Sequence, residues 1–335
     1  MTMTSYCVLD DAEVARFADM GELVAATEKC FQAKADGLLV APPRHAVHFD
    51  SGALVFTIGG MAARDGSAGL AGFRVYETFA ATGTARGQVV AVWNTSTGDL
   101  EGVILGEALG ALRTGAIGGV AVKHMSSPGA ATCGIIGSGR QAETQLIAAA
   151  VVRPSMTTVR VFSRSPQNRE RFAARMSEKL HMGVDPVATA REAVADADLV
   201  LCATNSPDPV IDSAWLKAGA HVSTIGPKLA DQHELPSDIG ERAAIVATDS
   251  PDQIRSYHGA YFLQDMPAWD RIIDLADIVA GRAPGRRMTA DLTLFCSVGL
   301  AGTEVAVAST ILRRVRATRT DATQDEPFPG FPKGG

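Results

Sequence analysis

Apolar residues recur along the 335-residue chain with two different periods, and the switch between them marks its organisation. From Asp10 or Asp11 through Gly37 they fall three and four residues apart, which predicts one long helix with a buried stripe. Pro42-Pro43-Arg44 ends that pattern. Residues 53–59, 71–78 and 88–94 then alternate as strands do, the last closing with the turn Thr95-Ser96-Thr97-Gly98-Asp99. This first part reads as α+β. Beyond it, short apolar runs at 131–136, 157–162, 199–203, 221–225 and 244–248 are separated by helical stretches at 143–152, 166–180 and 191–197. Such alternation predicts a parallel, doubly wound sheet. A final helix is expected over 299–316, returning to the first unit, with Arg313, Arg314 and Arg316 in its last turn where cations suit the dipole. Residues 318–335 have little to bury and are expected to be mobile or draped on the surface. No internal repeat interrupts the pattern.

The run Cys133-Gly134-Ile135-Ile136-Gly137-Ser138-Gly139-Arg140-Gln141-Ala142 joins an apolar strand to an amphipathic helix through two glycines. Gly137 permits a tight turn, Gly139 lets backbone N–H groups approach a pyrophosphate, and Ala142 lets the helix pack closely on the strand. The helix N-terminus then faces the anion. A turn that binds nothing is the plain alternative, and the complete strand, loop and helix favour a Rossmann-type dinucleotide cradle. NAD enzymes usually place a carboxylate about 20 residues past the glycines to hold the ribose hydroxyls. Here the next strand ends in Val161-Phe162-Ser163-Arg164-Ser165. Two hydroxyls and a guanidinium able to hold a phosphate bidentately suit a 2′-phosphate, so NADP(H) is expected over NAD(H). The alternative is a solvated loop arginine.

The length suits two domains, since single cores stop growing at ~250–300 residues. A net charge of −6 argues against nucleic-acid or anionic-membrane partners. Five cysteines, widely spaced and mostly in apolar runs, read as reduced core residues. No C-x-x-C pair and no zincin spacing of histidines occurs, so no metal is expected. The N-terminus has no signal-peptide pattern and no apolar run reaches the ~18 residues of a membrane span, which makes a cytoplasmic protein the expectation.

Three arginines outside the cofactor loop suggest anion binding: Arg44 after the proline pair, Arg74 inside an apolar strand, and Arg113 within a segment of small and apolar residues. A buried, unpaired guanidinium costs several kcal/mol, and a bound carboxylate or phosphate removes that cost. Alternatively each pairs with a protein carboxylate such as Glu77, Glu101 or Glu107.

With these residues in view, the chain resembles the ornithine cyclodeaminase and mu-crystallin family, which includes ketimine reductases and an archaeal-type alanine dehydrogenase. The resemblance runs from the N-terminal helix to Glu304. It rests on Pro43-Arg44, Thr97-Gly98-Asp99, Leu112-Arg113-Thr114-Gly115-Ala116, the glycine loop, Ala203-Thr204-Asn205-Ser206 and Thr293-Leu294-Phe295-Cys296-Ser297-Val298-Gly299-Leu300-Ala301. It implies a homodimer built from an α+β substrate-binding and dimerisation domain over 1–118, completed by the C-terminal helix in 305–335, and a Rossmann domain over 119–304. It also implies that Arg44 and Arg113 hold a substrate carboxylate, that Thr114 touches the cofactor, that Thr204, Asn205, Ser206 and Gly226 lie along it, and that Ser297 and Gly299 lie by the nicotinamide.

Two departures bear on the reaction. Arg74 stands where family members usually carry lysine, and arginine binds a carboxylate but does not shuttle protons near neutral pH. In Gly226-Pro227-Lys228-Leu229-Ala230-Asp231-Gln232-His233-Glu234-Leu235, Lys228 occupies the position of the aspartate of true cyclodeaminases, and Asp231 replaces it only if the loop is shifted. A lysine beside a nicotinamide suits C=N reduction, as proton donor or carboxylate contact, provided burial lowers its pKa from the ordinary ~10.4. A surface lysine paired with Glu234 is the alternative. His45, Tyr76 and Glu77 are reserve donors. The expected activity is NADP(H)-dependent reduction of an imino acid; a redox-neutral cyclodeaminase and a non-catalytic NADP-binding protein are the other readings.

Overall fold

Two sheets, laid down one after the other, organise the computed structural model, which describes residues 6–63, 68–79, 87–257 and 259–323. The first sheet contains Cys7–Leu9 (β1), Leu39–Val40 (β2), His45–Phe49 (β3), Gly52–Met61 (β4), Leu70–Glu77 (β5), Val89–Asn94 (β6) and Leu100–Leu105 (β7), in the order β1-β7-β6-β5-β4-β2 with β3 also on β4. Pairing is antiparallel except for β1 on β7. Side chains alternate across the sheet. Arg74 and Tyr76 of β5 therefore share one face, while Phe73 and Val75 share the other with Ile58, Ala91 and Val103, their cross-strand neighbours, and with Val8 beyond them.

The helical pattern after Asp10 resolves into two helices, Asp11–Phe17 (α1) and Met20–Ala35 (α2), rather than one. Asp19 ends the run because its carboxylate accepts the Glu22 N–H at 2.9 Å and caps α2, and such a cap competes with helix continuation even where apolar spacing carries through. Helix Ala108–Met125 (α3) crosses residue 118, where the two expected domains were divided, and leads into the second sheet. Its face of Gly115, Gly118 and Gly119 allows close approach of the next helix, Arg140–Val152 (α4).

The second sheet holds Thr132–Ile136 (β8), Thr158–Phe162 (β9), Gly183–Pro186 (β10), Leu199–Cys202 (β11) and His221–Thr224 (β12). A hairpin, Lys228–Leu229 (β13) and Gln232–His233 (β14), lies apart from it, and Ile245–Thr248 (β15), Ile272–Asp274 (β16) and Thr293–Cys296 (β17) complete it. The order β10-β9-β8-β11-β12-β17-β15-β16 is parallel throughout, as the alternating pattern predicts. Helices flank it: Pro166–Leu180 (α5) and the short Ala190–Val194 (α6), Ile239–Arg242 (α7), Pro251–Arg255 (α8) and Leu275–Val279 (α9). Alternate residues of β11 enter different cores, Leu199 and Leu201 on the side of Phe172, Val200 and Cys202 on the side of Leu294. Burial on both faces defines a doubly wound sheet.

The last helix, Thr303–Thr323 (α10), starts four residues later than expected because Gly299 and Gly302 adopt φ of +89° and +84°, outside the helical region. It also runs further, so Arg313, Arg314 and Arg316 sit in its middle. Arg314 pairs with Glu22 at 2.5 Å and Arg316 donates to the Glu101 carbonyl. Residues 318–323 are thus helical, while 1–5 and 324–335 lie outside the described residues. Helix α10 packs across β5, β6 and β7 on the Arg74 face. All five cysteines are buried and unpaired.

Candidate active site

Strand order reverses between β8 and β11, and a crevice opens there at their C-terminal ends, where open α/β sheets bind ligands. Gly137 leaves β8 with φ +115°, and a Cβ on it would collide with the Ala203 carbonyl oxygen, so this turn demands glycine. A Cβ on Gly139 would meet nothing within 4 Å, which leaves the N-terminus of α4 open to an anion. Ala142 lies buried beneath. Gly137, Ser138 and Gly139 line one wall of a cavity of about 570 Å³. Thr204, Asn205 and Ser206 line another, and Ser163, Arg164 and Ser165 the end beyond β9. Ser138 donates to Ser163 at 3.0 Å, and Ser165 caps α5 by accepting the Asn168 N–H at 3.2 Å. No carboxylate is among the described residues lining this end. Arg140 spends its guanidinium on Glu107, 2.7 Å away, and lends the cavity only its place in the first turn of α4.

Gln141, Ile225 and Gly226 also border a second cavity of about 930 Å³, so the two adjoin. Arg44, Arg74 and Arg113 converge on it from the segment before β3, from β5 and from α3. Arg74 is held by Gln88, whose Oε1 accepts from Nε at 3.1 Å and Nη2 at 2.7 Å, and its guanidinium lies 4.5 Å from the Tyr76 ring centroid. Burial, reinforced by the neighbouring Arg113 charge, lowers its pKa to about 10, so it stays cationic near neutrality. Arg44 donates to the Val298 carbonyl, and its backbone N–H to Gln253 at 2.9 Å. Gly299 lies where these meet, its φ of +89° favouring glycine, and a Cβ there would push aside the guanidiniums of both Arg44 and Arg113. Thr114 and Ser297 border the same cavity.

Arg113 does have a protein partner, though none of Glu77, Glu101 or Glu107. It pairs with Glu304 of α10 at 2.7 Å, with 4% and 2% of the two side chains exposed, and Arg74 lies 3.9 Å from the same oxygen. The contact is close but poorly aligned, for neither Glu304 oxygen nor Arg113 Nε makes a hydrogen bond. Glu77 and Glu101 instead accept from the Phe79 N–H and the Ser309 hydroxyl. Three guanidiniums against one carboxylate leave two positive charges facing the cavity. Asp249, fully buried, shapes the adjoining loop by accepting from Ser297 Oγ at 3.0 Å and from the Val298 and Gly299 N–H groups at 2.8 Å.

Lys228 is not a surface residue. It is 6% exposed at the base of the β13–β14 hairpin, borders the second cavity, and donates to the Gly226 carbonyl at 2.6 Å. Burial pushes its pKa down, aided by Arg44 and opposed by Glu234, Cys296 and Asp249. Asp231, read as a replacement for the missing aspartate only if the loop is shifted, borders the cavity from the exposed tip of the hairpin. Tyr76 and Tyr257 also line it, and burial raises the Tyr257 hydroxyl to about 12. His45 lies on the exposed β3, away from the lining. Glu304, Asp249 and Gln88 escape a reading of the sequence, where the one signal for the two acids is a carboxylate set in an otherwise apolar run, and Glu234 enters it only as the partner of a surface lysine.

The sequence profile described as "Ornithine cyclodeaminase/mu-crystallin family" matches residues 5–319. A Delta(1)-pyrroline-2-carboxylate reductase of Bacillus cereus is 31% identical over 229 residues, 66% of this chain and 68% of that protein. The ketimine reductase mu-crystallin of Mus musculus is 27% identical over 222 residues, 66% of this chain and 67% of that protein. Among solved structures, the Delta(1)-pyrroline-2-carboxylate reductase of Thermococcus litoralis in complex with NADH and L-proline superposes with a TM-score of 0.81 at 27% identity, covering 93% of this chain and 98% of that one.

Proposed function

The chain belongs to the ornithine cyclodeaminase/mu-crystallin family, and from that premise we propose that it uses NADPH to reduce an imino acid, either a ketimine or a cyclic imine carboxylate, to the amino acid. Bound in the first cavity, the nicotinamide carrier would supply the hydride that saturates the imine carbon. Its diphosphate fits the Gly137–Gly139 turn and the N-terminus of α4. Ser163, Arg164, Ser165 and the first turn of α5 fit a 2′-phosphate. The Thermococcus relative holds NADH. The preference for NADPH here rests on Arg164 and on the absence of a carboxylate among the described residues lining that end. A ratio of NADPH to NADH affinity near one would overturn it.

In the second cavity Arg44, Arg74 and Arg113 grip the substrate carboxylate, which fixes the imine carbon at the junction with the cofactor cavity. Lys228 carries the proposal. It is a buried lysine lining the second cavity and held on Gly226, which borders both, where reduction of C=N requires a proton at nitrogen as hydride reaches carbon, and burial lowers its pKa. Residues 1–118 with the C-terminal helix supply the three arginines, and 119–304 supply the cradle and Lys228. A homodimer is supported by the open apolar face of the first sheet, where Val8 and Ile58 are 47% and 56% exposed. Among the described residues no helix is long and apolar enough to cross a membrane.

Pyrroline- and piperideine-2-carboxylates, and 2-oxo acids mixed with ammonia or methylamine, test the proposal. At least one should oxidise NADPH and yield the amino acid, and tight NADPH binding with no turnover on the whole panel would overturn it. Asp231 on the cavity wall favours a second reading, redox-neutral cyclodeamination. Ammonia release from ornithine with no net change in NADPH would establish that reading instead.

A further inference from the structure

Glu234 performs no chemistry in the scheme above, yet it is 0% exposed and its carboxylate collects five donors. Oε2 accepts the N–H and hydroxyl of Thr204, both at 2.8 Å. Oε1 accepts the Thr224 hydroxyl at 2.6 Å, the Ile225 N–H at 3.0 Å and the Gly226 N–H at 2.5 Å. All five donors are neutral. The side chain thus staples the exits of β11 and β12, the two strand ends beside the adjoining cavities, with its carboxylate fully buried. Hairpin β13–β14 accounts for its position: Lys228 pairs with His233, and Glu234 follows directly, its N–H reaching the Pro227 carbonyl at 3.2 Å.

Both main-chain groups of Gly226 are consequently committed, the N–H to Glu234 and the carbonyl to the Lys228 ammonium. Other groups also act on Lys228. Asp249 holds the Ser297–Gly299 loop through the three donors already described and also accepts from the Thr248 hydroxyl at 3.4 Å. Cys296 ends β17, Arg44 opposes from the segment before β3, and Tyr257 lines the same cavity. Of these neighbours Glu234 acts most strongly to keep the proton on Lys228.

We propose that Glu234 is the positioning residue of the proton donor: it fixes Gly226 as the anchor of Lys228 and supplies the buried negative charge that keeps the ammonium protonated at working pH. This rests on Lys228 being the donor. Imine reduction requires protonated Lys228 and fails as pH rises through its pKa; amine oxidation requires the free base and rises through the same pKa. Removing the Glu234 charge lowers that pKa, so both limbs move to lower pH.

The test is kcat/KM against pH with saturating cofactor, reducing pyrroline-2-carboxylate with NADPH and oxidising L-proline with NADP+, in the native chain, Glu234→Gln, Glu234→Asp and Lys228→Met. Glu234→Gln should shift both limbs down by about one pH unit, the effect of one nearby charge at moderate effective dielectric, with reduction on the alkaline side falling about tenfold. Glu234→Asp, which keeps the charge but draws it back, should fall between, and it carries the test alone if the glutamine variant does not fold. Activity lost equally in both directions, with limbs unmoved in either variant, would overturn the proposal. A limb that survives in Lys228→Met would instead remove Lys228 as the donor, a failure of the underlying reading that the Glu234 variants do not mimic.

Discussion

Replacing Arg113 by methionine should do two separable kinds of damage. The guanidinium and Glu304 are 4% and 2% exposed and 2.7 Å apart, so losing one partner strands a buried charge, at a cost of about 3–5 kcal/mol in stability. A charge-assisted contact to the substrate carboxylate also goes, about 3–4 kcal/mol, or a 10²–10³-fold fall in kcat/KM. Adding Glu304→Gln separates the two effects. The double variant no longer strands Glu304 but deprives Arg74, 3.9 Å from that carboxylate, of its counter-charge, so it should recover only part of the lost stability in urea melts. It also restores the two net positive charges of the clamp, two guanidiniums with no carboxylate in place of three with one. Any remaining deficit in NADPH-linked imine reduction then belongs to the Arg113 contact rather than to the field. A double variant that stays as unstable as Arg113→Met would refute the stranded-charge argument; one that regains native kcat/KM would show that Arg113 does not touch substrate.

Three further outcomes are expected. Arg164→Ala should weaken NADPH binding about 10- to 100-fold, the worth of a charged hydrogen bond to phosphate, and leave NADH binding unchanged in fluorescence titrations; equal losses for both would remove Arg164 from the 2′-phosphate site. Phe73→Asp or Ile58→Asp, on the open face of the first sheet, should turn a dimer into a monomer in sedimentation, and a native chain that already sediments as a monomer would contradict that assignment. Burial, with Arg286 and Arg153 nearby, holds the fully buried His221 down to about 3, so it is neutral when folded and protonates near 6.5 when unfolded. Stability should therefore be intact above pH 6.5 and fall by about 3 kcal/mol between pH 7 and 4, a slope that His221→Gln should flatten and that, if the same in both, rules His221 out.

What the sequence disclosed and what it hid divide along a physical line. The turn at Gly137, the Ser163-Arg164-Ser165 end of β9 and the parallel sheet were legible because each depends on neighbours within a few residues, in period or in turn chemistry. The convergence of Arg44, Arg74 and Arg113 with Lys228 followed from family resemblance together with charge in apolar settings. Glu304 was hidden because its partner lies on a helix far earlier in the chain, and the roles of Glu234 and Asp249 because their hydroxyl and backbone N–H donors are brought in from other strand ends. The capping signal at Asp19 was present but overridden by apolar spacing that continues through it, and the last helix outran its expected end because no glycine or proline follows Arg316 until Pro327.

Transfer of label decides the chemistry most directly. With NADPH carrying deuterium at the transferable C4 position and pyrroline-2-carboxylate as substrate, proline bearing one deuterium at C2 should form mole for mole with NADP+, and Arg113→Met should slow both together. Unlabelled product, or ammonia released from ornithine while NADPH stays constant, would contradict an imine reductase.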